Sequence, residues 1–145
     1  EIPLRLVGSE MCIRDRYIAL LCGNLENISG KIEAPIARKE NSIIERCINP
    51  NGDYALTYYE LIKNYPNFCL VKFILKTGRT HQIRVHSKYI CHPILGDTLY
   101  GTSSDLINRQ ALHCRKLSFV HPITKKELKL EAPIPLDMQS LINLS

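Results

Sequence analysis

The chain has 145 residues, of which 45% are hydrophobic and 23% charged; this suits one domain with a buried core and excludes a disordered tail. No apolar run approaches bilayer-crossing length, and no signal peptide of the usual plan opens the chain. A formal net charge of +5 fits a polyanionic partner without demanding one.

Residues 1–16 show no sustained period and are expected to hold little fixed structure. The run from Leu6 to Arg16 is similar to translated library adaptor, so 1–16 is read as a non-native or disordered leader. Residues 17–23 form a nearly continuous apolar run closed by Gly23, the pattern of a buried strand. Residues 30–38 are broken by Pro35 and are expected at an edge or in a loop, and 43–48 suit a brief strand. Residues 54–63 and 68–76 alternate around Tyr65-Pro66-Asn67, which predicts an antiparallel hairpin.

A helix is predicted over 80–90, with Thr80 as its N-cap. His81, Arg84 and Lys88 lie at i, i+3 and i+7 and so share one face, a candidate anion site. A glycine-containing loop should follow, with a helical turn at 104–108. Residues 111–121 read as a strand and 122–125 as a turn. Residues 127–131 alternate with leucines inward and charges outward. A last helix over 136–143 should bury Leu141 and Ile142. The whole is an α+β chain, a mixed and mainly antiparallel sheet with a few flanking helices.

The six cysteines are isolated, with no paired spacing, and the five histidines show no metal-ligand spacing. A reduced, cytoplasmic protein without metal is expected.

The run Gly78-Arg79-Thr80-His81-Gln82-Ile83-Arg84-Val85-His86 is followed by His92-Pro93-Ile94, Gly96-Asp97 and Tyr100-Gly101, then by a leucine–histidine block from Leu112 to Pro122. These three blocks, in order and spacing, resemble the RluA/RluD-type pseudouridine synthases. The likeness extends to the Tyr17–Gly23 run, to Gly30-Lys31-Ile32 with Pro35-Ile36 and Arg38, to Gly52 with residues 55–59, and to Ala132-Pro133-Ile134-Pro135. It implies part of the pseudouridine synthase catalytic fold and isomerisation of uridine in ribosomal or transfer RNA, with no cofactor.

That chemistry needs a flipped base, an aspartate nucleophile and a cation to orient it. By resemblance the cation is Arg84 and the tyrosine that stacks on uracil is Tyr17. Arg79, His81, Lys88 and Arg38 are candidate RNA contacts, and Asp97 is read as a brace for its loop. The family carries its nucleophile in an H-R-L-D-x-x-T-S-G motif, which does not occur in this sequence. Residues 17–145 are therefore expected to be the C-terminal portion of a synthase catalytic domain, inactive alone, with Arg84 lacking its carboxylate. The alternative is a non-catalytic RNA-binding module. Cys91 stands where the family has glycine, so a left-handed helix end there would carry a strained side chain. Oligomeric state is not legible.

Overall fold

The computed structural model describes residues 12–120 and 123–144. Among the described residues, eight strands and two helices follow in chain order. The strands are β1 (Cys12–Cys22), β2 (Ser29–Glu33), β3 (Ile36–Arg38), β4 (Arg46–Ile48), β5 (Leu56–Asn64), β6 (Phe68–Leu75), β7 (Leu112–Val120) and β8 (Glu127–Glu131). Helix α1 (Gln82–Tyr89) lies between β6 and β7, and α2 (Leu136–Ile142) closes the chain. Neither is long and apolar enough to cross a membrane. Six strands form one antiparallel sheet in the order β2-β5-β6-β1-β7-β8, and β3 pairs with β4 as a separate ribbon.

The first strand lies inside the sheet, between β6 and β7. That is why it is apolar on both faces: Ala19, Leu20 and Leu21 are consecutive and wholly buried. Cross-strand neighbours share a face, so Tyr17, Phe73 and Tyr59 stand in one row and Ala19, Val71 and Leu61 in the next. Thr57 belongs to this face, and its hydroxyl meets His86 of α1, which fixes the helix there.

Several expectations change. β1 begins at Cys12, within the stretch expected to lack fixed structure, because its first half pairs with β7 from Arg14↔Ser118 to Arg16↔Lys116. Residues 1–11, and the expected strand end and turn at 121–122, lie outside the described residues. The 30–38 region is two strands: β2 at the sheet edge, and β3 beyond the Pro35 break. No helical turn forms at 104–108; the Ser104 hydroxyl instead accepts the Leu106 N–H. In α2 the buried side chains are Met138 and Leu141, whereas Ile142 is half-buried. Leu130 does not point inward; it is half-exposed on β8.

Helix α1 is capped differently from the Thr80 expectation. His81 is its N-cap, in a left-handed conformation at φ 56°, and makes no capping side-chain bond. The turn is held instead by Gln82. Its Oε1 accepts the Arg79 N–H at 2.9 Å and the Thr77 hydroxyl at 2.8 Å, and its Nε2 donates to Leu56 O and Thr57 Oγ1. The Thr57 hydroxyl then donates to His86 Nδ1 at 2.8 Å, and His86 Nε2–H donates to Ala34 O at 2.9 Å. This buried chain of bonds ties the helix to β5 and to Ala34, between β2 and β3.

The helix ends in a Schellman motif. Cys91 has φ 69°, its N–H bonds Lys88 O, and the His92 N–H reaches back to Ser87 O. Beyond it, residues 92–95 run against the end of β1: Cys22 N–H bonds Pro93 O, Leu95 N–H bonds Leu20 O, and His92 Nδ1 meets Cys22 O. The loop carrying Asp97 is thereby moored to the central strand.

Candidate active site

Gly96 and Asp97 follow this mooring. Gly96 has φ 79°, and a Cβ there would lie 2.2 Å from Arg109 O, so the position accepts only glycine. The turn delivers Asp97 into the interior, fully buried. One carboxylate oxygen accepts the N–H groups of Leu99 and Tyr100, as the expected brace would. The same carboxylate also takes Arg84 in a fork: Nε to Oδ2 and Nη2 to Oδ1, each 2.9 Å. Arg84 is therefore paired with a buried carboxylate, though not with the nucleophile that the resemblance calls for. Burial pushes the Asp97 carboxyl up, but the Arg84 hydrogen bond and charge, with the two backbone N–H groups, outweigh it and hold the carboxyl below its ordinary range.

Tyr100 completes the group. Its ring lies under the Arg84 guanidinium, Cζ 5.0 Å from the ring centre, and its edge meets His81. Its hydroxyl accepts the Arg46 N–H at 2.9 Å and stands 2.7 Å from His81 Nδ1. Burial keeps the Tyr100 phenol protonated above its usual pKa. Burial, with the nearby charges of Arg84 and Arg46, holds His81 below its own. The Tyr100 hydroxyl accepts from Arg46 and pairs with His81 Nδ1, so donating its proton there leaves a neutral His81 with its ring proton on Nε2. The left-handed backbone at His81 has a use here: it swings the imidazole toward Tyr100.

His81, Arg84 and Tyr17 line one cleft of about 680 Å³, within the usual range for a small-ligand pocket. The opposite wall comes from Gln110 and the start of β7 (Leu112, His113, Cys114, Arg115) and from Leu130, Glu131 and Ala132 at the end of β8. Tyr17 is 3% exposed, seated in the sheet next to Cys114, and lines the cleft from its floor. Beside it β7 bulges. Arg16 pairs with Lys116 and Tyr17 with Cys114, which leaves Arg115 as the extra residue, turned to the cleft wall. Asp97 is not part of this wall.

The remaining candidates separate. Lys88 lies on the other side of Tyr100, in a second hollow with Arg46 and Lys39. The single basic face expected of His81, Arg84 and Lys88 is thus split between two cavities. Arg38 is exposed and stands directly across from Arg46 in the β3–β4 ladder. Arg79 is exposed, with Nε bonded to Tyr54 O at 2.7 Å, and lines neither cavity. Gln82 and Tyr100 were missed by sequence reasoning; the regular Gly-Asp-x-x-Tyr-Gly spacing was the available signal for Tyr100. Among the described residues, no group of three His, Cys, Asp or Glu side chains is arranged to hold a metal.

With this geometry in place, comparison with known proteins is informative. The sequence profile of the family described as RNA pseudouridylate synthase matches residues 6–89. An uncharacterised RNA pseudouridine synthase of Bacillus subtilis, YjbO, is 45% identical over 130 residues, covering 90% of this chain and 46% of that protein. Ribosomal large subunit pseudouridine synthase D of Vibrio parahaemolyticus is 38% identical over 143 residues, covering 89% of this chain and 44% of its own length. Among solved structures, human RNA pseudouridylate synthase domain containing 1 aligns with a TM-score of 0.77 at 26% identity, over 89% of this chain and 57% of that one. The chain thus spans less than half the length of these two bacterial relatives.

Proposed function

The chain belongs to the RNA pseudouridylate synthase family, and we propose that it provides the base-holding and carboxylate-orienting wall of a uridine isomerase acting in the cytoplasm on ribosomal or transfer RNA. The observation that carries this is the meeting of Tyr17, from the central strand, and Arg84, from α1, on one cleft. In the reaction the C1′–N1 bond breaks, the uracil turns, and a C1′–C5 bond forms. C5 loses its hydrogen and N1 gains one, so the atoms balance with no metal and no cofactor. The Tyr17 ring packs on the uracil, and its O–H serves the proton movement. Arg84 keeps the attacking carboxylate ionised and aimed; Asp97 and Tyr100 hold the guanidinium so that its plane is set before substrate arrives. His81 presents Nε2–H as a donor to the RNA, and Arg79, Lys88 and Arg38 serve its phosphates. The name of the Vibrio relative favours ribosomal RNA of the two targets.

The nucleophile is not Asp97, which is fully buried, paired with Arg84 and outside the cleft wall. It comes from a segment beyond these 145 residues, and the chain alone is inactive. The second reading, a non-catalytic RNA-binding module, is favoured by the absent H-R-L-D motif. Release of tritium from uracil C5 in ribosomal or transfer RNA separates the two. The 145-residue chain is expected to release none, and the chain extended through its upstream reading frame to release it catalytically. Release by the short chain would refute a missing nucleophile. RNA binding without release by the extended chain would favour the module.

A further inference from the structure

The second hollow, about 230 Å³, opens on the far side of Tyr100 from the main cleft. Its chemistry is distinctive. Tyr89, on the last turn of α1, is 55% exposed, so a large aromatic ring stands at the rim where packing gives no reason for one. Lys88, Arg46 and Lys39 stand around it. The one acid in the lining, Glu45, is neutralised by Lys39 at 3.1 Å. No acidic partner pairs with Lys88 among the described residues. Arg38 leaves the same face of the β3–β4 ribbon as Arg46, directly across the ladder, and extends the positive strip. The Arg46 side chain is held in place because it also bonds Ile43 O and Ile44 O at the ribbon's turn.

An exposed aromatic ring ringed by cations is the arrangement that binds a single nucleic-acid strand: the ring takes a base face and the cations take the backbone. Tyr100 lines the hollow, and its hydroxyl touches both His81, which lines the main cleft, and the Arg46 backbone. A strand with one base in the cleft therefore has its neighbour within reach of the hollow. We propose that this hollow is a subsite for a nucleotide flanking the target uridine, its base stacked on Tyr89 and its phosphate held by Lys88 and Arg46. This rests on RNA being the substrate, and deepens that reading by assigning the path of the strand: from the main cleft, over the Tyr100 wall, toward the β3–β4 ribbon.

The test is binding of a fluorescently labelled single-stranded oligouridylate to the 145-residue chain across a salt series. Tyr89→Ala is expected to weaken binding about ten-fold, and Tyr89→Phe to leave it near wild type, since stacking needs the ring and not the hydroxyl. Lys88→Gln should lower the slope of log affinity against log salt by about 0.7, the loss of one phosphate contact to a single strand. Lys72→Gln, on the opposite sheet face and paired with Glu60, should change neither. All three side chains are solvent-facing, so unchanged melting temperatures confirm that folding is not what moved. If Tyr89→Ala and Lys88→Gln bind like wild type with the same slope, the subsite does not exist. Tritium release by the extended chain is scored separately, so loss of the subsite and loss of the isomerase reading are distinguishable.

Discussion

Asp97 holds Arg84 through two parallel hydrogen bonds of 2.9 Å, from a carboxylate that is itself completely buried. The guanidinium is nearly so, with 15% of the side chain exposed. Removing one member leaves the other charged and poorly solvated, which costs more than the pair contributes. Asp97→Ala is expected to lower stability by about 3–5 kcal/mol. Asp97→Asn should cost less, because its amide oxygen still accepts the Leu99 and Tyr100 N–H groups. Urea unfolding of both variants checks the order; equal losses would show that the ion pair and not the loop brace dominates.

Cys91 sits at φ 69° at the C′ position of α1, exposed, in a conformation that penalises any Cβ. Relief of that strain outweighs glycine's extra chain entropy. Cys91→Gly should raise stability by about 0.5–1 kcal/mol, visible as a rise in melting temperature of roughly 2–5 °C. No rise would mean that the strain is already relaxed.

His86 is buried as the neutral Nε2–H tautomer between Thr57 and Ala34, and burial lowers its pKa against the smaller opposing effect of the Ala34 carbonyl. His81 is lowered too, by burial and then by Arg84 and Arg46. In the unfolded chain both take protons near pH 6.5, so below that pH the unfolded state binds more protons than the folded one. Their stabilisation is full above about pH 6.5 and is lost as pH falls toward their folded values. Asp97, lowered in the fold, adds a separate loss only below about pH 4. Melting temperature should therefore decline between pH 7 and 5, and His86→Gln should flatten that decline. A slope unchanged by the substitution would assign it to His81 or elsewhere.

Gly96 is enclosed by Arg109 O and the Ile107 side chain, at φ 79°. Gly96→Ala combines backbone strain with a clash against a carbonyl that cannot rotate away. A loss of about 2–4 kcal/mol is expected, with a disproportionate loss of RNA binding because the displaced loop carries Asp97 and Tyr100. Hydrogen exchange on 95–101 would show the loosening; unaltered protection would contradict it.

What the sequence made legible was local. Alternation around Tyr65-Pro66-Asn67 specified the β5–β6 hairpin, and the apolar run before Gly23 specified a strand buried on both faces. The motif blocks pointed to Arg84 and Tyr17, which share a cleft. The rest depended on partners distant in sequence. The start of β1 at Cys12 is set by β7, about a hundred residues later, and no period in residues 12–16 announces it. The helix cap moved from Thr80 to His81 because Gln82 bonds Arg79, Thr77, Leu56 and Thr57 at once, an arrangement that outweighs a local capping preference. The Arg84–Asp97 fork joins residues 13 apart across a helix end, where spacing rules for a single helix have no bearing.

The central claim is that Arg84, its guanidinium plane fixed by Asp97, acts on an incoming carboxylate. The direct measurement is single-turnover conversion of uridine by the upstream-extended chain carrying Arg84→Lys, which keeps the charge beside Asp97 but loses the planar geometry. A fall of about a hundred-fold or more in rate is predicted, with RNA affinity close to wild type at a temperature where the variant is fully folded. Conversion at the wild-type rate by that variant would contradict the account.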